Sequence, residues 1–236
     1  MWDFSTEPEF QQQLDWIDQF VREKVEPLDH ILGSQWNIHD PKFETLVRPL
    51  QAEVKARGLW ACHLGPELGG KGYGQVKLAL MNELFGQSRF GPIVFGAQAP
   101  DTGNAEILSH YGTPAQKKEF LEPLLDNRIV SCFSMTEPQG GADPLVFKTT
   151  AHQDGDEWVI DGEKWFSSNA RYASFFIVMA VTDPDAEPYR RMSMFIVPAD
   201  TEGVEIDRNL TFYGEPEATH AYMRYKEVRV PHENML

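Results

Sequence analysis

Two segments in the second half of the chain hold the residue types best suited to chemistry. The first is Ser134-Met135-Thr136-Glu137-Pro138-Gln139-Gly140-Gly141-Ala142-Asp143-Pro144. It leaves the apolar run Ile129 to Met135, which reads as a strand, and enters a stretch of small residues. Such a loop can turn several backbone N–H donors and one hydroxyl toward a ligand. A pyrophosphate or the edge of a heteroaromatic ring is the matching chemistry, and the glycines allow an approach that side chains would block. A plain surface turn fits the same residues. The second segment is Gly162-Glu163-Lys164-Trp165-Phe166-Ser167-Ser168-Asn169-Ala170. Its tryptophan leads directly into hydroxyl and amide groups. One indole face could therefore stack on a planar ring while Ser167 bonds the edge of that ring. A tryptophan in the core is the simpler alternative.

Other candidates carry less. Gly65-Pro66-Glu67-Leu68-Gly69-Gly70-Lys71-Gly72 has phosphate-loop spacing but places Gly72 where a Ser or Thr must reach Mg²⁺. Set among helical patterns, it reads as a glycine-rich connection. Cys62 and Cys132 sit in apolar stretches and are expected to be buried, reduced thiols. The histidines are scattered, and His63, His110 and His152 lack a ligand partner three or four residues away, so no metal site is expected.

Composition narrows the partners. Lys and Arg number 21 against 36 Asp and Glu in 236 residues, a formal charge of −15. That balance argues against nucleic acid as the main partner. A phosphorylated ligand would have to be held by backbone N–H groups and a few local cations. Hydrophobic residues make up 42%, enough for a sizeable core. No apolar run approaches the roughly 18 residues of a membrane span. Met1-Trp2-Asp3-Phe4 lacks the basic and apolar regions of a signal peptide. A soluble protein of a reducing compartment is expected.

The elements that must position these segments change character along the chain. Phe10, Leu14, Ile17, Val21 and Val25 form one stripe of an amphipathic helix ending near Pro27, with Thr6 as its expected N-cap. A second helix is expected from Pro49 to Gly58, and a third from Gln75 to Gln87 with Val76, Leu80 and Leu84 on one face. Further helices are expected over Gly103 to His110 and Pro114 to Leu125. Beyond residue 130, Phe175 to Val181, Met192 to Val197 and Tyr222 to Pro231 read as strands. Asp154-Gly155-Asp156 and Asp161-Gly162 read as tight turns flanking a short strand. A helical half followed by a strand-rich half is an α+β pattern.

Taken together, the two segments resemble the signature of the acyl-CoA dehydrogenase family, T-E-P-x-x-G-S-D followed by G-x-K-x-W-I-T-N. Pro66-Glu67-Leu68-Gly69-Gly70, Tyr111-Gly112-Thr113-Pro114-Ala115-Gln116-Lys117, Ser193-Met194-Phe195-Ile196-Val197-Pro198 and Val228-Arg229-Val230-Pro231 also look similar, in the family's order. Ala99-Pro100-Asp101-Thr102-Gly103-Asn104 and the Trp165-x-Ser167-Ser168 variant look most like the branch of members 10 and 11. The resemblance implies an N-terminal helical domain, residues 1–129, and a middle antiparallel β-barrel domain, residues 130–236. The family's C-terminal four-helix domain is expected to be absent from this chain, and its catalytic glutamate with it.

The implied cofactor is FAD. By position, Phe133, Met135 and Thr136 would face the flavin, and Gly141 and Ala142 would lie at the pyrophosphate. Trp165 would flank the isoalloxazine, with Phe166 and Ser167 completing that wall. On the substrate side, Ala142, Phe95 and Ala99 would line the groove and acyl cavity, and Arg190 and Arg191 are in a loop that could approach the CoA nucleotide. The implied reaction is α,β-dehydrogenation of a fatty acyl-CoA in β-oxidation, with an electron-transfer flavoprotein as acceptor and a homodimer or homotetramer as the assembly. The expected compartment is bacterial cytoplasm, or the mitochondrion or peroxisome of a eukaryote. An acyl-CoA oxidase, or a short non-catalytic FAD- or acyl-CoA-binding or assembly protein, are the competing readings. Ala142 replaces the family's usual Ser. Glu83, Glu106 and Glu137 are the conspicuous carboxylates, but spacing gives none of them the role of base.

Overall fold

The computed structural model describes residues 5–68, 70–211 and 219–236. Met1–Phe4, read above for a signal peptide, and Gly69 of the glycine-rich connection lie outside them. The chain divides into two compact units, Met1–Thr102 and Gly103–Leu236.

In the first unit, helix α1 spans Pro8–Phe20 and buries Phe10, Leu14, Ile17 and Phe20. A π turn over Val21–Val25 and a 3-10 turn over Glu26–His30 carry the stripe onward and bury Val21, Val25 and Leu28. The start differs from expectation. Glu7 occupies the cap position with no side-chain cap bond, while the Thr6 hydroxyl donates to the Gln11 side chain. Helices α2 (Pro41–Leu46) and α3 (Arg48–Ala56) follow. The 3-10 turn Pro66–Leu68 within the glycine-rich connection leads to α4, Gly74–Phe85. That helix buries Leu78, Met81 and Phe85, whereas Val76 is 77% exposed. Val76, Leu80 and Leu84 are therefore not its inward face. A run such as Leu78-Ala79-Leu80-Met81 offers apolar residues on several sides, so period alone does not choose among them. Helix α5, Gly91–Val94, completes this unit's core.

Helix α6, Asp101–Tyr111, leads into the second unit, where α7 (Pro114–Gln116), a π turn and α8 (Glu122–Leu125) run together. Thr113 and Gln116 form a reciprocal capping box at the start of that run. The strands are β1 Ser131–Ser134, β2 Thr150–Asp154, β3 Glu157–Ser168, β4 Phe175–Val181, β5 Met192–Pro198, β6 Val204–Leu210 and β7 His220–Pro231. They form one sheet in the order β1-β4-β2-β3-β7-β6, with β5 paired to β4.

The sheet is curled and mixed rather than wholly antiparallel. Strand β1 pairs with β4 in parallel, Ser131 opposite Phe175 through Ser134 opposite Val178, and Thr150 pairs in parallel with Val181. The chain passes through a loop and the β2–β3 hairpin between β1 and β4. Only a tight turn would have forced that pair to be antiparallel. Gly155-Asp156 makes the hairpin turn, with Gly155 at φ 64°. Asp161-Gly162, by contrast, is no turn: it lies inside β3 at a bulge, with Gly162 at φ 151°. A Cβ there would sit 2.6 Å from the Thr149 Cα, so only glycine lets these backbones meet.

Strand β4 is buried on both faces, as its unbroken apolar sequence requires. Phe176, Val178 and Ala180 pack with Cys132, Met223 and Tyr225, while Phe175 and Ile177 pack with Ala105, Leu108, Leu121 and Leu124 of the helices. Cys62 and Cys132 are both buried, and neither forms a disulfide among the described residues.

Candidate flavin site of the second unit

The loop after β1 and the middle of β3 are joined at three points, each made by different chemistry. Lys164 Nζ donates to the Met135 carbonyl at 2.8 Å. The Trp165 backbone N–H donates to the Thr136 carbonyl at 2.7 Å. The Ser134 and Ser167 hydroxyls share a buried hydrogen bond of 2.9 Å, and Tyr225 donates to Ser134 Oγ at 2.8 Å. Burial in that cluster pushes the Tyr225 phenol far above its ordinary range. The two segments singled out in the sequence are therefore one local structure.

Glu137 organises the loop from below. It is 3% exposed, and its carboxylate accepts from Lys164 Nζ at 2.9 Å, Thr149 N–H at 2.9 Å and Lys148 N–H at 2.6 Å, with a further donor from Gln139. Burial opposes its charge, but the Lys164 and Lys148 donors together outweigh burial and hold the carboxyl below its usual range. Lys164 is itself fully buried, beside the Phe147 ring at 4.7 Å. Burial draws its ammonium down, and Glu137 restores part of the loss. Neither charge is exposed to solvent, and each is the other's counter-ion.

Above this base, Glu137 and Gly140 exchange two backbone hydrogen bonds of 3.1 and 3.0 Å, closing a tight turn. Gly140 and Gly141 lie against Val146 and Thr136: added Cβ atoms would come within 2.5 and 2.9 Å of their methyl groups. Among the described residues, the N–H groups of Thr136, Gly141 and Ala142 and the Thr136 hydroxyl have no protein partner. The carbonyls of Met135 and Thr136 are already engaged. The loop thus keeps several N–H donors unpaired, which suits an electron-rich ligand.

The other expected residues fall into place unevenly. Phe133 is half-buried against the helix-side core, while Met135 is half-buried and Ala142 exposed. Trp165 is half-buried, with its ring 5.4 Å from Tyr222 and the Arg208 guanidinium over it at 6.0 Å. Its indole Nε1 is buried without a partner among the described residues. Phe166 is 49% exposed and adopts φ 53° at a bulge, which turns its ring out of the strand. Ser167 departs from expectation: its hydroxyl points inward to Ser134 rather than toward a ring edge.

The substrate-side positions of the first unit differ more. Phe95 is fully buried, stacked on Phe85 at 4.1 Å and edge-on to Phe20 at 5.8 Å. It lies in an aromatic cluster of that unit's core. Ala99 is exposed, and its carbonyl accepts from Trp36 Nε1 at 3.3 Å and from the Gln98 side chain at 2.6 Å. In the second unit, Arg191 Nε is bonded to the Ala186 carbonyl of its own loop at 2.9 Å, while Arg190 is exposed.

Sequence reasoning passed over Lys164 and Tyr225, the two side chains that tie the site together. A lone lysine between Gly162 and Trp165, inside a strand pattern and separated from one loop glutamate, was the available signal.

Comparison with known proteins agrees with this arrangement. The acyl-CoA dehydrogenase N-terminal domain model matches residues 7–128, and the acyl-CoA dehydrogenase middle domain model matches residues 132–228. Acyl-CoA dehydrogenase family member 11 of Gallus gallus is 39% identical over 232 residues, 93% of this chain and 30% of that protein. A solved structure from Mycobacterium abscessus, also assigned to the acyl-CoA dehydrogenases, is 34% identical with a TM-score of 0.85, over 99% of this chain and 61% of the other. A glutaryl-CoA dehydrogenase from Mycobacterium smegmatis, solved in complex with FADH2, shares the fold at 24% identity and a TM-score of 0.71, over 98% of this chain and 55% of the other. The chain thus spans about a third to three fifths of the length of these relatives. It belongs to the acyl-CoA dehydrogenase family, of which it carries the N-terminal and middle domains.

Proposed function

We propose that the chain forms the flavin-facing part of an FAD-dependent acyl-CoA dehydrogenase acting on fatty acyl-CoA thioesters. The observation that carries this reading is the set of unpaired N–H donors at Thr136, Gly141 and Ala142, beside the carbonyls of Met135 and Thr136 that Lys164 and Trp165 occupy. An isoalloxazine edge and a pyrophosphate both present acceptors, so free N–H groups at Thr136, Gly141 and Ala142 match them. The turn held by Gly140 and Gly141 supports the fit, since a Cβ at either would meet Val146 or Thr136 and displace the N–H donors. So does the buried, unpartnered Nε1 of Trp165, a donor with no protein acceptor.

In this reading Thr136 and Trp165 hold the ring system, with Met135 and Phe133 beside them and the exposed ring of Phe166 as an outer wall. Ser167 acts from behind, by fixing Ser134 and the course of β3. Gly141 and Ala142 take the pyrophosphate through backbone alone, Ala142 having no hydroxyl to add. When bound, FAD supplies the hydride acceptor for oxidation of the Cα–Cβ bond of the acyl group. The protein's part is orientation, donor placement and exclusion of water. Glu137 is not available as the proton-abstracting base: four donors, a buried ammonium among them, hold it. Glu83 and Glu106 are exposed on α4 and α6, and neither is assigned the role. An electron-transfer flavoprotein is the proposed acceptor, and a homo-oligomer the proposed assembly.

The test is anaerobic titration of the complete natural protein, reconstituted with FAD, by a fatty acyl-CoA. Bleaching of the flavin band is expected. A protein that takes up no FAD overturns the proposal, and peroxide formation on turnover in air would move it to an oxidase.

A further inference from the structure

The peptide units of the loop are not equivalent. The Met135–Thr136 peptide accepts on its carbonyl from a fully buried ammonium, Lys164 Nζ, at 2.8 Å. The N–H of the same peptide, that of Thr136, has no partner among the described residues. The next unit, Thr136–Glu137, is closed at both ends: Trp165 N–H donates to its carbonyl at 2.7 Å, and its N–H donates to Gly140 O at 3.1 Å. One amide in this stretch is therefore both open in front and charged from behind.

An amide polarises as a unit. A cationic donor on the carbonyl oxygen draws density away from the nitrogen and makes the N–H a stronger donor, the more so where the local dielectric is low. Glu137 Oε1, 2.9 Å from Nζ, keeps the buried group neutral overall while Nζ still donates to the Met135 carbonyl. The Phe147 ring lies beneath the ammonium, 4.7 Å from Nζ. The carboxylate makes burial of the charge tolerable, and the carbonyl receives its effect.

We infer that Lys164 is a positioning residue of the flavin site. It fixes and polarises the Met135–Thr136 peptide, so that the Thr136 N–H becomes a charge-assisted donor to an electron-rich atom of the isoalloxazine. The inference rests on the flavin reading above and adds to it the group that sets donor strength.

The test uses the FAD-loaded natural protein with two variants. Glu137→Gln removes the carboxylate charge but leaves the Lys164 nitrogen able to donate to the Met135 carbonyl. Lys164→Met/Glu137→Gln removes that donor and both charges together, so no lone charge is left buried to unfold the protein. Readouts are FAD affinity by fluorescence quenching, the flavin midpoint potential by dye equilibration, and thermal unfolding without FAD as a control for the fold. The double variant is expected to unfold cooperatively, to bind FAD about tenfold more weakly and to show a more negative potential, while Glu137→Gln, which strands the buried ammonium, is expected to lose thermal stability. A folded double variant with unchanged affinity and potential overturns the inference. If the double variant fails to fold, Lys164→Gln/Glu137→Gln decides by potential alone, a negative shift supporting the inference and none overturning it. A wild-type protein that holds no flavin would instead defeat the flavin reading itself, before any variant is compared.

Discussion

Replacing Lys164 with Met should be among the most damaging single changes in the second unit, for a reason the neutral pair makes testable. The substitution keeps most of the side-chain volume but strands the Glu137 carboxylate, which is 3% exposed. Removing one partner of a buried ion pair costs about 3–5 kcal/mol, because the remaining charge keeps its desolvation penalty without its counter-ion. Glu137 would retain the Lys148 and Thr149 N–H donors. The expected loss is therefore near the lower end, about 3 kcal/mol, or about a hundredfold in the folding equilibrium. Adding Glu137→Gln to the same protein removes the stranded charge and should recover most of that loss. Urea unfolding followed by circular dichroism measures all three proteins, with the shift in midpoint read at constant slope. A Lys164→Met protein within about 1 kcal/mol of wild type would refute the buried-pair reasoning, as would a double variant no better than the single.

Other outcomes follow from the same geometry. The Glu137 carboxyl is held below its usual range in the folded chain, so its contribution is present above the ordinary carboxylate value and is lost as pH falls through the lowered one. Acid unfolding curves should accordingly flatten in Glu137→Gln. Burial lowers the His63 pKa from 6.5 to about 4, and both ring nitrogens lack partners among the described residues. The unfolded chain therefore takes up a proton first as pH drops from 6.5 toward 4, and stability falls across that window. His63→Leu should remove this dependence, as measured by thermal melts at stepped pH. Gly162→Ala forces a Cβ to within 2.6 Å of the Thr149 Cα at φ 151°, and should cost at least about 1–3 kcal/mol from backbone strain alone, read by urea unfolding.

Much of this arrangement was legible in the sequence where one physical rule dominated. The stripe Phe10-Leu14-Ile17-Val21-Val25 is buried as its spacing requires, and the apolar run Phe175 to Val181 is the central strand β4. The two motif segments were recognisable as segments, but not the bonds that join them. Those bonds depend on which way Lys164 and Ser167 point, and the bulges at Gly162 and Phe166 reset that parity within β3. Asp161-Gly162 misled because glycine serves a bulge as well as a turn. Strand β6 escaped notice because an edge strand such as Val204–Leu210 is mostly exposed and carries little apolar alternation. Phe95 was expected at a cavity on family position alone, and its aromatic neighbours are scattered from Trp16 to Phe85 in sequence.

The central claim is that the loop after β1 and the strand around Trp165 form one flavin-holding surface. It is tested most directly by the FAD content and FAD dissociation constant of the natural protein beside its Trp165→Ala variant. The indole is half-buried between Tyr222 and Arg208, while the fold rests on the separate contacts of Lys164 and Ser167. A folded Trp165→Ala protein that purifies with less flavin and binds added FAD more weakly is expected. Unchanged flavin content and affinity in that variant would contradict it.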